Sequence, residues 1–298
     1  MRFLNFPTVV QREVFECFSF EELLALSFCS KRFRNLIQSL QKYRFTKIDY
    51  LVYRKIFKET VFITARSSDL KQLLHISLHE DQKNEEINSN EGFKIGGVHC
   101  SLYKSSTFSW GSMYMYERNQ SELIIECVHN YFYAFFGSSI DYQIDLNCDK
   151  LPQSLKNIAG SRIGLSENMT GEELEACFTS SPSQKYIAIL FKLNGKLCPD
   201  SVLYNTENLY FNSTHIDVDD LLFQFRGKCL FLVERNVTDL NIIRFLNEWK
   251  SNRKFQNMKF VSIFTHRRNR FDVAKVLYEA DIKHLDPSET TLKLEWKQ

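Results

Sequence analysis

The side chains that could do chemistry in this sequence are present but scattered. Seven histidines stand at positions 75, 79, 99, 129, 215, 266 and 284, and eight cysteines at 17, 29, 100, 127, 148, 177, 198 and 229. Of the histidines, His75 and His79 are spaced as metal ligands: i and i+4 bring two imidazoles to one helical face, where zinc could bridge them. Their segment, LLHISLHE (73–80), alternates apolar and polar residues and is expected to be a strand, so the pair is read as structural or solvent-facing. No two cysteines lie within three residues of each other, which leaves no zinc-ribbon or CxxC spacing. Asp217, Asp219 and Asp220 crowd the expected start of a helix, where carboxylates favour the positive end of the dipole, and are read that way rather than as metal ligands. The basic run His266–Arg270 follows an expected strand and is either a solvated loop or a contact for an acidic ligand. GxSxG, P-loop, dinucleotide-binding and HExxH patterns are all missing. No catalytic residue, metal ligand or cofactor is therefore assigned, and the chain is expected not to be an enzyme.

Composition narrows the class. A 298-residue chain implies two or three domains, and 44% hydrophobic with 14% aromatic residues is enough to build sizeable cores. Net charge is +2, which makes no global case for nucleic acid or membrane. The charge is uneven: Lys31–Lys58 holds nine Lys/Arg against Asp49 alone. That run is read as a solvated surface, with a nucleic-acid-binding protein as the runner-up function. Cysteines such as Cys127 and Cys229 sit in apolar context and read as reduced core residues, which points to cytoplasm or nucleus. Charges interrupt the opening residues too soon for a signal peptide, and no apolar run approaches the ~18 residues of a membrane span. The sequons at Asn119, Asn168, Asn212 and Asn236 are read as chance matches.

The strongest pattern is FPTVVQREVFECFSFEELLALSFCSKRFRNLI (6–37). Pro7 suits the first turn of a helix, and Val10, Val14 and Phe18 then recur on one helical face. Ser19 with Glu22 forms a capping-box pair for a second helix carrying Leu23, Leu24 and Leu26. Ser30 can cap a third, on which Phe33, Leu36, Ile37 and Leu40 follow helical spacing. Three short helices in about forty residues are marginal alone, so a partner surface is expected to complete their burial.

These residues resemble the F-box. Its order of features is met without gaps by Phe6-Pro7, Val14, Glu22-Leu23-Leu24, Ser27, Ser30-Lys31-Arg32-Phe33 and Leu36-Ile37, with Phe6 where Leu is usual and Phe33 where Trp is usual. The resemblance implies docking on the Skp-type adaptor of an SCF (cullin–RING) ubiquitin ligase. Phe6, Pro7, Val10, Val14, Leu23 and Leu24 are then the expected adaptor-contacting residues.

The remainder is expected to be mixed. Residues 43–118 read as β-rich, with strands at 60–65, 73–80, 98–103 and 112–117 around a polar, mostly acidic loop from His79 to Gly92. From Ser121 helices and strands alternate: a helix closing at Gly137, YQIDLN, SRIGL, a helix capped by Thr170 and Glu173, KYIAILF, NLYFNS, a helix to Phe225, KCLFLVE, a helix from Thr238 carrying Leu240, Ile243, Leu246 and Trp249, MKFVSIF, a helix near 271–280, and a last apolar segment near Leu285. Helix-bridged strands at this spacing imply parallel pairing, as a leucine-rich-repeat-like stack or a small α/β layer. The residues Asp220-Leu221-Leu222, Asp239-Leu240-Asn241, Phe245-Leu246 and Trp249 resemble the F-box-associated domain of the nematode F-box family, which implies substrate recognition. The expected architecture is α+β: an F-box at 1–42, a β-rich region at 43–118 and an F-box-associated α/β domain at 119–298.

Overall fold

The computed structural model describes residues 3–57, 60–69, 71–80, 92–103, 112–117, 120, 123–148, 155–165, 168–212, 218–233, 237–251, 254–264, 272–282 and 294–295. The chain divides into two compact units, Met1–Cys148 and Asp149–Gln298. Both are mixtures of helix and strand, as the α+β expectation requires. The division falls thirty residues later than the expected boundary at 118/119, because the helix and strand that follow residue 119 complete the first unit rather than opening the second.

The first unit opens with a 3-10 turn, Phe3–Asn5, and three helices: α1 (Thr8–Glu16), α2 (Phe20–Cys29) and α3 (Lys31–Phe45). Strands β1 (Tyr50–Phe57), β2 (Thr60–Arg66), β3 (Gln72–Glu80), β4 (Gly92–Ile95), β5 (Val98–Tyr103) and β6 (Ser112–Tyr116) follow, then α4 (Ile124–Phe136) and β7 (Asp141–Cys148). The sheet runs β7-β1-β2-β3-β6-β5-β4, with β1/β7 and β3/β6 parallel and the other neighbours antiparallel. Alternation sets its faces. Leu51 and Tyr53, Val61 and Ile63, Leu74, Ile76 and Leu78, and Tyr114 and Tyr116 are all buried. Helix α4 is apolar nearly all round, burying Ile124, Ile125, Val128, His129, Tyr131, Phe132, Phe135 and Phe136, so it forms core rather than surface. Gly137 ends it at φ 95°, a conformation that costs glycine little.

Gly96 and Gly97 make the two-residue turn between β4 and β5, with φ of 59° and 102°. A Cβ on Gly96 would stand 2.2 Å from the Cys127 carbonyl oxygen of α4. Gly96→Ala is expected to lower stability by roughly 1–3 kcal/mol, since left-handed backbone strain and a backbone clash act together. A urea-unfolding midpoint equal to that of the unaltered chain would disprove this tight seat.

The second unit builds a parallel sheet in strict sequence order. Its strands are β8 (Ile158–Leu165), β10 (Tyr186–Ile189), β12 (Asn208–Asn212), β13 (Cys229–Val233) and β14 (Phe260–Phe264), with the short β15 (Leu294–Glu295) antiparallel on β14. Two-residue strands β9 (Met169–Thr170) and β11 (Leu193–Asn194) pair separately. The connections carry α5 (Gly171–Phe178), α6 (Val202–Asn205), α7 (Val218–Gln224) and α8 (Asp239–Lys250), and α9 (Val273–Glu279) follows β14. The expected capping box is present at Thr170/Glu173, and the structure adds one at Thr238/Asn241. One core takes the buried sheet residues Ile187, Ile189, Leu209, Phe211, Leu230, Leu232 and Val261 together with helix residues such as Leu174, Leu221, Leu222, Phe245 and Leu246. On α8, Ile243 and Leu246 are buried and Trp249 packs against this core, but Leu240, expected on the same face, is 67% exposed. The segment near Leu285 lies outside the described residues.

Candidate functional site

The three opening helices are fixed by local hydrogen bonds that the sequence announces. Pro7 precedes α1 with φ −53°, and its carbonyl accepts from Gln11 N–H at 3.1 Å. The buried Gln11 side chain donates to the carbonyls of Leu4 (3.2 Å) and Phe3 (3.4 Å), which ties the 3-10 turn to α1. The Phe3 ring meets Phe15 edge-on at 5.3 Å and stacks with Phe33 at 6.0 Å. Ser19 and Glu22 exchange the two hydrogen bonds of a capping box, at 2.7 and 3.2 Å. Ser30 Oγ accepts from Phe33 N–H at 3.2 Å to start α3.

Arg44 of α3 does a job no spacing rule foretold. Its guanidinium donates to Phe15 O at 2.9 Å and Phe18 O at 2.8 Å, and lies 4.9 Å over the Phe20 ring. It thus satisfies carbonyls at and beyond the end of α1 that the helix cannot bond itself. Arg44→Ala is expected to cost roughly 1.5–3 kcal/mol, the worth of charged hydrogen bonds in a half-buried setting. Differential scanning calorimetry checks it: an unshifted melting temperature rejects the role.

Helices α2 and α3 are closed by the chain itself. Leu23 and Leu24 are both 0% exposed. Phe28 stacks with Phe93 of β4 at 4.8 Å and tilts on Tyr131 of α4 at 5.2 Å. The buried Ser27 hydroxyl pairs with Tyr131 Oη at 2.9 Å, and Arg34 lies 5.5 Å over the Tyr131 ring. Gln38 donates to the carbonyls of Ala134 and Phe135, and Phe45 packs on Phe135 and Phe136 at 5.2 and 5.1 Å. Two of the six expected adaptor contacts are therefore corrected. Leu23 and Leu24 belong to the interior, because β3, β4 and α4 return to cover α2 and α3.

What stays open is the outer face of α1 and the turn before it. Pro7 is exposed, Val10 is 42% and Val14 36% exposed, and Phe6 is half-buried. Pro7, Val10 and Val14 stand at i, i+3 and i+7, one helical stripe. Leu4, 39% exposed, and Val9, 67% exposed, extend the apolar surface, although sequence reasoning did not single them out. The signal for them was adjacency to Pro7, which periodicity counting ignores. The inner face of α1 is instead Gln11 and Phe15.

Residues 3–45 match the F-box domain family. The matched range starts at the first residue of the 3-10 turn and ends at the last residue of α3, so the family domain and the helical module coincide. It closes three residues beyond the expected limit at 42. No curated protein and no solved structure matches the chain.

The basic run is not one surface. Arg34 covers Tyr131, Arg44 holds helix carbonyls, and Arg54 on β1 pairs with Asp145 at 2.9 Å. His75 and His79 lie on β3 as the alternation implied, beside Thr64 Oγ1 at 3.5 Å and Thr60 Oγ1 at 3.1 Å, with the Phe62 ring near both. Burial lowers the pKa of each below the ordinary imidazole value. Asp219 accepts from Asn241 Nδ2 at 2.5 Å and Asp220 pairs with Lys196 at 3.5 Å, so both are spent on the fold of the second unit. Among the described residues no group of three His, Cys, Asp or Glu is placed to hold a metal ion. Cys100 is buried, which pushes its thiol up to about 12. Asp217, the run His266–Arg270 and residues 81–91 of the acidic loop lie outside the described residues.

Proposed function

We propose that this chain is the non-catalytic substrate-recognition subunit of an SCF-type cullin–RING ubiquitin ligase. Leu4, Phe6, Pro7, Val9, Val10 and Val14 dock on the Skp-type adaptor, and the C-terminal unit, read as a repeat-like F-box-associated domain, holds a protein substrate. The observation that carries this is an apolar stripe left bare on helices that are otherwise closed by their own chain. A row of valines facing water on a matched F-box domain is what a helix-in-groove contact needs. The chain would perform no bond chemistry; it raises the effective concentration of substrate beside the ubiquitin-loaded enzyme. Its place is the cytoplasm or nucleus, where eight thiols stay reduced. No helix among the described residues is long and apolar enough to cross a membrane.

The nucleic-acid reading loses support because three arginines of the basic run are engaged within the fold. Co-expression of the full chain with a Skp-type adaptor tests the proposal. A stoichiometric complex on size-exclusion chromatography is the expected result; a folded chain eluting apart from the adaptor overturns it.

A further inference from the structure

The sheet of the first unit holds a buried nitrogen that the fold leaves unsatisfied. On β3, Leu74, Ile76 and Leu78 turn into the core, so His75, Ser77 and His79 face the other way. His79 Nδ1 lies 3.1 Å from Thr60 Oγ1 on β2. Its Nε2 is buried and meets no hydrogen-bond partner. A buried polar atom normally finds one, because nothing else repays the water it gave up. The two nitrogens of an imidazole point to opposite sides of the ring. With Nδ1 turned toward β2, Nε2 is turned toward β6, the neighbour on the other side of β3.

What stands on that side is sulfur. The parallel register sets Met115 beside His79 and Met113 beside Ser77. Both methionines are half-buried and share the face with His79. Thr60, Phe62, Ser77 and Ser101 are the other register neighbours of this group. Among the described residues, β2, β3, β5 and β6 carry no carboxylate on this face; Glu117 follows the end of β6. Burial holds the His79 pKa below the ordinary imidazole value, so the ring is neutral at pH 7 and keeps a lone pair. His75 lacks this setting. Its Nδ1 is 3.5 Å from Thr64 Oγ1, and the pairing of β3 with β6 begins only at Ile76.

We propose that His79 Nε2 and the thioethers of Met113 and Met115 form a binding site for Cu(I). Thioether sulfur is a soft ligand that selects this ion, whereas calcium and magnesium call for oxygen. Zinc takes thiolates, imidazoles or carboxylates, and this face offers one imidazole beside the methionines. Methionine has three rotatable bonds, so its sulfur can turn to a metal while the strands stay in place. Thr60 has the role of a supporting hydroxyl: by accepting from Nδ1–H it fixes the ring and leaves the lone pair on Nε2. The ion is bound and released in the same oxidation state, so no electron transfer is required. His75 and His79 do not act as a pair, because four residues along a strand set them ~13 Å apart. The inference stands apart from the receptor reading and neither supports nor needs it.

The full chain, with its accessible thiols first alkylated by iodoacetamide, is titrated anaerobically with Cu(I) against a chromophoric Cu(I) chelator. Carbon-13 in the methionine methyl groups reports which sulfurs bind. A single equivalent should be taken up, and the methyl signals of Met113 and Met115 should shift while those of Met169 and Met258 stay. His79→Phe should abolish uptake, and Met115→Leu, which nearly keeps the side-chain volume, should weaken it. Thr60→Val should lower affinity by about ten- to a hundredfold, the usual effect of removing a group that orients a ligand. His75→Phe should bind as the unaltered chain does. Melting temperatures of the metal-free variants identify any that fail to fold; if His79→Phe is one, Met115→Leu and Thr60→Val decide. Uptake that alkylation removes overturns the inference. So do uptake unchanged in folded His79→Phe or, where that variant fails, in both Met115→Leu and Thr60→Val, methyl shifts at Met169 or Met258 in place of Met113 and Met115, and Zn(II) bound as tightly as Cu(I).

Discussion

Val10→Asp combined with Val14→Asp is expected to abolish co-purification with the Skp-type adaptor, by at least about a hundredfold in affinity, while the chain itself stays folded. The first half follows from what the two residues would do in a complex. Each aspartate would have to lose its water against an apolar partner with no hydrogen-bond donor prepared for it. The second half follows from where they stand now. With 42% and 36% of their surface open, neither packs in the interior, and surface substitutions away from special features usually move stability by less than about 0.5 kcal/mol. Isothermal titration against the adaptor, with far-ultraviolet circular dichroism of the free variant, reads both. A double variant that binds as tightly as the unaltered chain would place the contact elsewhere.

Leu24→Ala should do the reverse. Leu24 is completely buried on α2, whose neighbouring residues Ser27 and Phe28 touch Tyr131, Phe93 and Tyr114. Truncating it leaves a cavity between elements held in place from several sides, at a cost of about 2–5 kcal/mol. That is a large part of the roughly 5–15 kcal/mol that holds an ordinary domain together. The expected reading is a lowered midpoint in urea. Adaptor affinity at low temperature, where the variant remains folded, should be nearly unchanged. If affinity falls while the unfolding midpoint does not move, Leu24 faces the partner and the placement of α2 is wrong. Leu23→Asp, which the sequence pattern alone recommends as an interface variant, is a poor choice for the same reason: it puts a charge into a closed interior and removes binding by unfolding the chain.

Local signals were legible wherever a side chain acts on its own backbone. Ser19, Ser30, Thr170 and Thr238 each cap the helix their sequence position foretells. Gly137 closes α4, and the strands around His75 and Val261 fall where β-branched and aromatic residues concentrate. Parallel pairing of β12, β13 and β14 was readable from helix-length spacers between them. Strand β1 was hidden because its alternation of Leu51 and Tyr53 against Arg54 sits inside a run that reads as basic. Strand β4 was hidden because only four residues carry it.

The apolar content of the first forty-five residues, their caps and their order are written in the sequence, and they suffice to specify three helices of F-box type. Which apolar residues face inward is not written there. Leu24 and Val10 are both aliphatic residues at helical spacing, and periodicity treats them alike. One is buried because α4, a hundred residues later, returns with Tyr131 beneath α2; the other, on the outer face of α1, stays 42% exposed. The same holds for Tyr210 and Phe211, adjacent on β12: both are apolar enough for a core, and only the helices packing on one side of the sheet decide which becomes core. Burial belongs to pairs of distant segments, so it is settled by tertiary packing even where every local element is legible in the chain.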